Sequence, residues 1–214
     1  MKQDADPRLG LLVERMLAST PRVTATSARE AYDRHVADAL TGAALVAAEG
    51  NGALVDVGSG GGIPGLVLAV CFPDRAVTLV EATGRKAEFL RETAATLGLT
   101  NVEVEAVRAE DLAGRRRDAF AIATARALAP PVVAAELCLP LVRPGGLFLL
   151  YAGAFDPAPF TEAVALLGAA VEAIDPVAGT ERRTLVRVRK TAPTPARFPR
   201  RVGVAGKRPL VRFT

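Results

Sequence analysis

The chain has 214 residues, half of them hydrophobic, with a formal net charge of +4, enough for one sizeable α/β core without a second full domain. No run approaches the roughly 20 uninterrupted apolar residues of a membrane span, and residues 1–6 lack the basic start and apolar run of a secretory signal, so a cytoplasmic protein without membrane contact is expected. Cys71 and Cys138 have no CxxC or histidine partner, and both read as buried, reduced thiols rather than metal or redox groups.

In chain order, residues 8–20 have helical spacing, and Thr26 or Ser27 can cap a second helix over 28–49. The period then changes. Ala53-Leu54-Val55-Asp56-Val57 is a short apolar run ending in glycines, which predicts a buried strand. A helix over 63–72 follows, stopped by Pro73. Residues 76–80 predict the next strand, 84–97 a helix stopped by Gly98, 102–107 a third strand and 119–123 a fourth. A helix over 131–141 leads through the turn Arg143-Pro144-Gly145-Gly146 to a fifth strand over 147–151. A helix over 159–167 precedes strands over 170–174 and 183–189, the last with the alternation of a half-exposed antiparallel strand. This order predicts a doubly wound, Rossmann-like α/β fold with seven strands. Residues 1–50 form an N-terminal helical extension, 51–190 the central domain and 191–214 an irregular basic tail, all in one globular unit.

The strand at Asp56 runs directly into Gly58-Ser59-Gly60-Gly61-Gly62. Residues without Cβ let the backbone turn with positive φ and lie against a ligand, at the carboxyl end of a strand where open parallel sheets bind. Gly60-Gly61-Gly62-Ile63-Pro64-Gly65 matches G-x-G-x-x-G, a weak nucleotide signal by itself. Pro64 removes a donor from the helix start that would face a pyrophosphate. Asp56 repels phosphate but suits an ammonium or sulfonium group. Glu81, which ends the second strand, can accept both ribose hydroxyls of an adenosine; its plainer role is a charge at a helix N-terminus. Together these favour S-adenosylmethionine, held by Asp56, Gly58, Ser59, Gly60, Gly62, Glu81 and the adjacent Ala82. Ala109-Glu110-Asp111, after the third strand, falls where an adenine would lie in a methyltransferase; Glu110 or Asp111 also reads as a plain helix cap. A nicotinamide enzyme is a distant alternative, and the absence of G-x-x-x-x-G-K-[ST] excludes a P-loop.

Charge is distributed unevenly. Residues 182–214 hold eleven Lys and Arg and no Asp or Glu, which leaves the first 181 with 16 basic and 23 acidic residues. An anionic body with a cationic end is the pattern of a polyanion binder, and its plainer reading is a solubilising tail. Arg197, Arg200, Arg201, Lys207 and Arg208 are the candidate contacts to such a polyanion, and His35, the single histidine, is either structural or a further contact. Tyr32 and Tyr151 could stack on a base or pack at a rim. The end of the fourth strand, Ala123-Thr124-Ala125-Arg126-Ala127, lacks the Asn/Asp-Pro-Pro-Tyr/Phe signature of many exocyclic-amine methyltransferases. Neither cysteine is placed for attack on a pyrimidine. An acceptor that is already unprotonated, such as guanine N7, remains among the possibilities and needs no general base.

Asp56-Val-Gly-Ser-Gly-Gly-Gly-Ile-Pro-Gly65, Ala125-Arg126-Ala127, Glu136-Leu-Cys-Leu-Pro-Leu141, the Arg34-His35-Val-Ala-Asp38 segment and the tail Phe198-Pro-Arg200-Arg-Val-Gly203 resemble the bacterial 16S ribosomal RNA (guanine-N7) methyltransferases, also called glucose-inhibited division protein B. The resemblance spans nearly the whole chain. It implies methylation of a guanine N7 in 16S rRNA, with Gly58, Ile63, Ala109, Glu110 and Arg126 lining the cofactor and reaction site and Arg126 positioning the acceptor. The implied partner is 16S rRNA or the small ribosomal subunit, and a monomer is expected. Two positions depart from the family pattern: Arg22-Val23-Thr24 stands where Asn-Leu-Thr is usual, and Ala152 where a lysine is common. The alternatives are a methyltransferase for another RNA or a small molecule, and a noncatalytic ribosome-assembly factor.

Overall fold

The computed structural model describes residues 6–19, 28–177 and 183–211. The Thr26 or Ser27 cap, the Arg22-Val23-Thr24 departure and two cations of the basic end, Arg182 and Arg212, lie outside the described residues. Helix α1 spans Pro7–Ser19. The predicted second helix is interrupted: α2 (Ala28–Tyr32), a π-helical turn (Asp33–Ala37), α3 (Asp38–Leu40) and α4 (Ala43–Ala48) follow one another. A π-helical turn inserts a residue into the helical ladder and re-aims the side chains beyond it, a device concentrated at functional sites.

The central unit then alternates as expected: β1 (Leu54–Val57), α5 (Gly65–Cys71), β2 (Val77–Val80), α6 (Gly84–Thr96), β3 (Val102–Glu105), α7 (Ala109–Arg115), β4 (Phe120–Arg126), α8 (Pro131–Cys138), β5 (Val142–Gly153), α9 (Pro157–Leu166), β6 (Ala169–Pro176) and β7 (Arg183–Lys190). The sheet order is β3-β2-β1-β4-β5-β7-β6, parallel except for β7, which runs antiparallel to both neighbours. Order reverses between β1 and β4, which opens the crevice where such sheets bind ligands. The fifth strand begins earlier than predicted, because residues 142–146 still belong to it.

Both faces of the central strands β1, β2 and β4 are buried, so these strands carry apolar residues in both directions. On one face Leu54, Leu79 and Leu149 pack with Leu9, Leu12, Val13, Val36 and Val46 from the N-terminal helices. The N-terminal segment is therefore part of the main core. Tyr151 adds a fixed link: it is buried, and its hydroxyl donates to the Ala39 carbonyl at 2.9 Å. On the other face Val55, Phe120, Phe148 and Val186 pack with Phe160 and with Phe198 from the tail.

The tail is more ordered than its composition suggests. Arg117 donates to the carbonyls of Thr194, Pro195 and Phe198. Lys190, wholly buried, donates to the Leu139 carbonyl at 2.8 Å and to Thr194 Oγ1. A short helix, α10 (Val204–Lys207), is the last helix among the described residues. Cys138 is buried as expected, but Cys71 is exposed at the last position of α5, because the apolar face of that helix stops at Val70. No described helix is long and apolar enough to cross a membrane.

Candidate active site

At the carboxyl ends of β1, β2 and β4 lies a cavity of about 410 Å³. Its floor is the glycine loop. Gly58 and Ser59 donate their backbone N–H groups to the Val80 carbonyl at 2.8 and 3.0 Å, which ties the loop to β2. Gly58 has φ +72°, and a Cβ there would come within 2.5 Å of Leu128 Cδ1, itself on the cavity wall. Only glycine leaves this surface open.

Glu81 sits at the opposite rim, where its carboxylate accepts the N–H of Gly60 at 3.1 Å and of Thr83 at 2.8 Å. Each carboxylate oxygen keeps a second lone pair, so Glu81 braces the loop and still offers acceptors to a diol. Ala82, Ala109 and Glu110 complete this side, together with Ile63, Ser59 and Gly60. Lys86, Leu128 and Met16 also line the cavity; sequence reading missed them, since nothing local marks an exposed lysine or a core-type Leu or Met as a wall.

Two expected cofactor contacts are placed elsewhere. Asp56 is buried, and its carboxylate accepts Thr124 Oγ1–H at 2.7 Å and the Gly65 N–H at 3.3 Å. It turns away from the cavity and occupies an otherwise unpaired N–H at the start of α5. Asp56 therefore holds the loop's frame and does not meet an ammonium group. Burial pushes its pKa up to about 6, against the opposing hydrogen bonds from Thr124 and Ser59. Gly65 exists for the same contact, because a Cβ there would stand 2.7 Å from Asp56 Oδ2 and 2.4 Å from Leu79 Cδ2. Gly62 likewise faces Leu66 and Leu90, not the cavity.

Arg126, the last residue of β4, closes the cavity and forms the partition to a second one of about 440 Å³. Its guanidinium reaches His35 Nδ1 at 2.6 Å, the His35 carbonyl at 3.3 Å and Asp38 Oδ2 at 3.3 Å. Burial lowers the Arg126 pKa, which the Asp38 carboxylate partly offsets. The π-helical turn carries His35 and leads into Asp38, and so it delivers both to Arg126. Arg183 joins from β7, with Nη1 at 3.3 Å from Asp38 Oδ1. Ala127, next along the chain, holds φ +51°, a left-handed backbone uncommon for a residue with a Cβ and concentrated at functional sites. Asp38 and Arg183 were not legible as site residues, because their only signal is a long-range contact.

The tail cations divide. Arg200 is bound bidentately to Glu136, whose carboxylate is 1% exposed, at 2.8 and 2.6 Å. It fastens the tail to α8 and is not open to RNA as expected. Arg197, Arg201, Lys207 and Arg208 are exposed, and Arg197 lies over the Phe198 ring at 5.0 Å.

The model for rRNA small subunit methyltransferase G (GidB) matches residues 19–180. The chain belongs to this family. Proteins named ribosomal RNA small subunit methyltransferase G are 43% identical over 87% of the chain in Roseiflexus castenholzii, covering 82% of that protein. In Sorangium cellulosum the figures are 43% over 91% of the chain and 83% of the relative. Among solved structures, an O-methyltransferase from Bacillus cereus in complex with SAH superposes with a TM-score of 0.67 at 18% identity, covering 88% of this chain and 92% of that one. A 16S rRNA (adenine-N1)-methyltransferase from Catenulisporales acidiphilia gives 0.57 at 17% identity over 72% and 92%. At that identity the likeness is one of fold: the seven-stranded, doubly covered α/β sheet. S-adenosylmethionine fits the first cavity, because Glu81 offers a diol acceptor beside a glycine floor that any Cβ at position 58 would fill.

Proposed function

We propose that this chain transfers a methyl group from S-adenosylmethionine to N7 of a guanine in 16S rRNA. The observation that carries the reading is the pair of cavities meeting at Arg126. One has the glycine floor and diol acceptor for a nucleoside, and the other is an adjoining room for the acceptor. When bound, S-adenosylmethionine supplies an electrophilic methyl group on a sulfonium.

The residues of the chain hold and orient; they need not move a proton, because N7 of guanine already carries a free lone pair. Glu81 takes the ribose hydroxyls. Gly58, Ser59, Gly60 and Ile63 form the surface under the cofactor, with Ala82, Ala109 and Glu110 at its adenosine end. Arg126, pinned by His35 and Asp38, fixes the acceptor at the partition, and such alignment is the main source of rate for an in-line displacement. His35 then serves through Arg126 and not as an acid or base. Arg197, Arg201, Lys207 and Arg208 meet the phosphates of rRNA or of the small subunit, and those contacts position without reading sequence.

Mapping N7-methylguanosine in rRNA from cells with and without this chain tests the reading. One guanine should lose its mark when the chain is absent and regain it when the chain is restored. An unchanged map overturns the assignment. Transfer of the methyl group to a small molecule in place of rRNA would favour the small-molecule alternative.

A further inference from the structure

We propose that the second cavity seats the acceptor guanine, and that Asp38 and Arg183 select it by reading its O6 and N1–H edge. The proposal rests on the guanine-N7 reading above and names the residues that enforce it.

The cavity is lined by Asp38, Arg126, Leu150, Phe155 and Arg183, with Pro131 on one side. Its polar wall has a fixed order. Asp38 is 7% exposed and sits between two guanidiniums, one oxygen facing Arg126 and the other facing Arg183, each at 3.3 Å. A carboxylate only accepts, a guanidinium only donates, and each Asp38 oxygen keeps a second lone pair. The wall therefore presents an acceptor beside a donor. It asks for a ligand edge with a donor beside an acceptor.

Guanine has that edge in N1–H and O6, and N7 lies next to O6 on the same side of the ring. With Arg183 donating to O6 and Asp38 accepting from N1–H, both bonds fall on one edge of the six-membered ring, and N7 keeps its lone pair free for the methyl group. Adenine reverses both groups, with an amine where Arg183 donates and a bare nitrogen where Asp38 accepts. Uracil shares the guanine pattern but offers no unprotonated ring nitrogen, because N1 is bonded to the ribose and N3 carries the proton that Asp38 would accept. A phosphate is disfavoured, because the Asp38 carboxylate is part of the wall. Phe155, half-buried and edge-on to Phe160 at 5.5 Å and 81°, supplies a face against which an unstacked base can lie.

Arg183 reaches this place because β7 runs antiparallel to β5, with Arg183 opposite Gly153 and Thr184 opposite Ala152. The small residues Ala152 and Gly153 on β5 leave the room open, and the cation comes from the neighbouring strand.

The test is a double-mutant cycle between the enzyme and the base. Small-subunit rRNA is prepared with guanosine, inosine or 2-aminopurine riboside at the methylated position. Inosine keeps O6 and N1–H, whereas 2-aminopurine keeps N7 and loses both. The full-length wild-type chain and the Arg183→Gln and Asp38→Asn variants are compared for kcat/KM, with S-adenosylmethionine affinity and thermal melting measured alongside.

The wild-type chain should accept inosine within roughly threefold of guanosine and lose roughly 10- to 100-fold on 2-aminopurine, the range of one good bidentate base contact. Arg183→Gln should lose a similar factor on guanosine, lose little more on 2-aminopurine, and bind the cofactor within about twofold of wild type; Asp38→Asn, which also loosens Arg126, should lose more on guanosine and keep part of that loss on 2-aminopurine. Equal rates on guanosine and 2-aminopurine for the wild-type chain overturn the proposal, and so do losses that multiply fully across the cycle. A wild-type chain that makes no N7-methylguanosine in any rRNA overturns the function reading and this subsite together. Normal guanosine methylation with no coupling overturns the subsite alone.

Discussion

Glu110 Oε1 accepts the backbone N–H of Gly203 at 3.0 Å. Glu110 also lines the first cavity, so one carboxylate joins the wall of that cavity to the basic tail. Gly203 adopts φ +76° to start α10, and the bond fixes the direction in which Lys207 and Arg208 leave the body. Glu110→Ala should lower S-adenosylmethionine affinity about fivefold, from loss of roughly 1 kcal/mol of hydrogen bonding. It should also expose the chain between residues 197 and 208 to protease. Calorimetry and limited proteolysis read the two effects, and a change in neither removes the link.

Arg200 is the only cation hydrogen-bonded to Glu136 among the described residues, and Glu136 is almost wholly buried. Arg200→Met leaves that carboxylate without its guanidinium, at a cost of about 3 kcal/mol. Chemical denaturation should show that loss, and Glu136→Gln combined with Arg200→Met should recover most of it. A fall equal to that of an exposed arginine would place Arg200 outside the stabilising clasp.

Gly65→Ala puts a methyl group against Asp56 Oδ2 and Leu79 in a packed interior. The helix start must shift, and the Gly65 N–H loses its carboxylate. Cofactor affinity should fall at least tenfold, measured by calorimetry, while Gly114→Ala, with open space around it, leaves it unchanged.

Asp56 carries a pH signature. Burial holds its folded-state pKa near 6, above the ordinary carboxylate value. Between that ordinary value and pH 6 the folded chain keeps a proton that the unfolded chain gives up. The contribution of Asp56 to stability is therefore fullest in acid and is lost as pH rises through 6. The stability difference between the wild-type chain and Asp56→Asn should shift against the wild type from pH 4.5 to 7.5. A difference that stays constant across that range would show an unshifted carboxyl.

Replacing Arg197, Arg201, Lys207 and Arg208 together by Gln should weaken rRNA binding and flatten its salt dependence. The slope of log affinity against log salt should fall by about 3, near 0.7–0.9 per phosphate contact. Cofactor affinity should hold within about twofold. Deleting the tail is a poorer test, because Phe198 and Thr194 are buried and the deletion would also open the core.

The alternation of strands and helices, the glycine loop and Glu81 were readable from sequence because each is a local pattern. Apolar runs such as Leu54-Val55 and Leu147-Phe148-Leu149-Leu150 have both faces covered, and the glycines mark the turn between them. The role of Asp56 was misread because its position beside the loop does not reveal which way the side chain turns; Thr124, 68 residues later in the chain, decides that. The Arg200 clasp was hidden for the same reason, since composition shows a cation but not the buried Glu136 that claims it. Asp38 and Arg183 lie on different elements, and no spacing rule connects them.

Around Arg126 two guanidiniums share a single carboxylate. Guanine arrives in that room uncharged, but alkylation at N7 leaves the ring with a fixed positive charge. Transfer therefore carries a cation from the first cavity into a wall that already has one positive charge in excess. The features that welcome the substrate work against the product, so departure of the modified base is favoured by the same arrangement that admitted it.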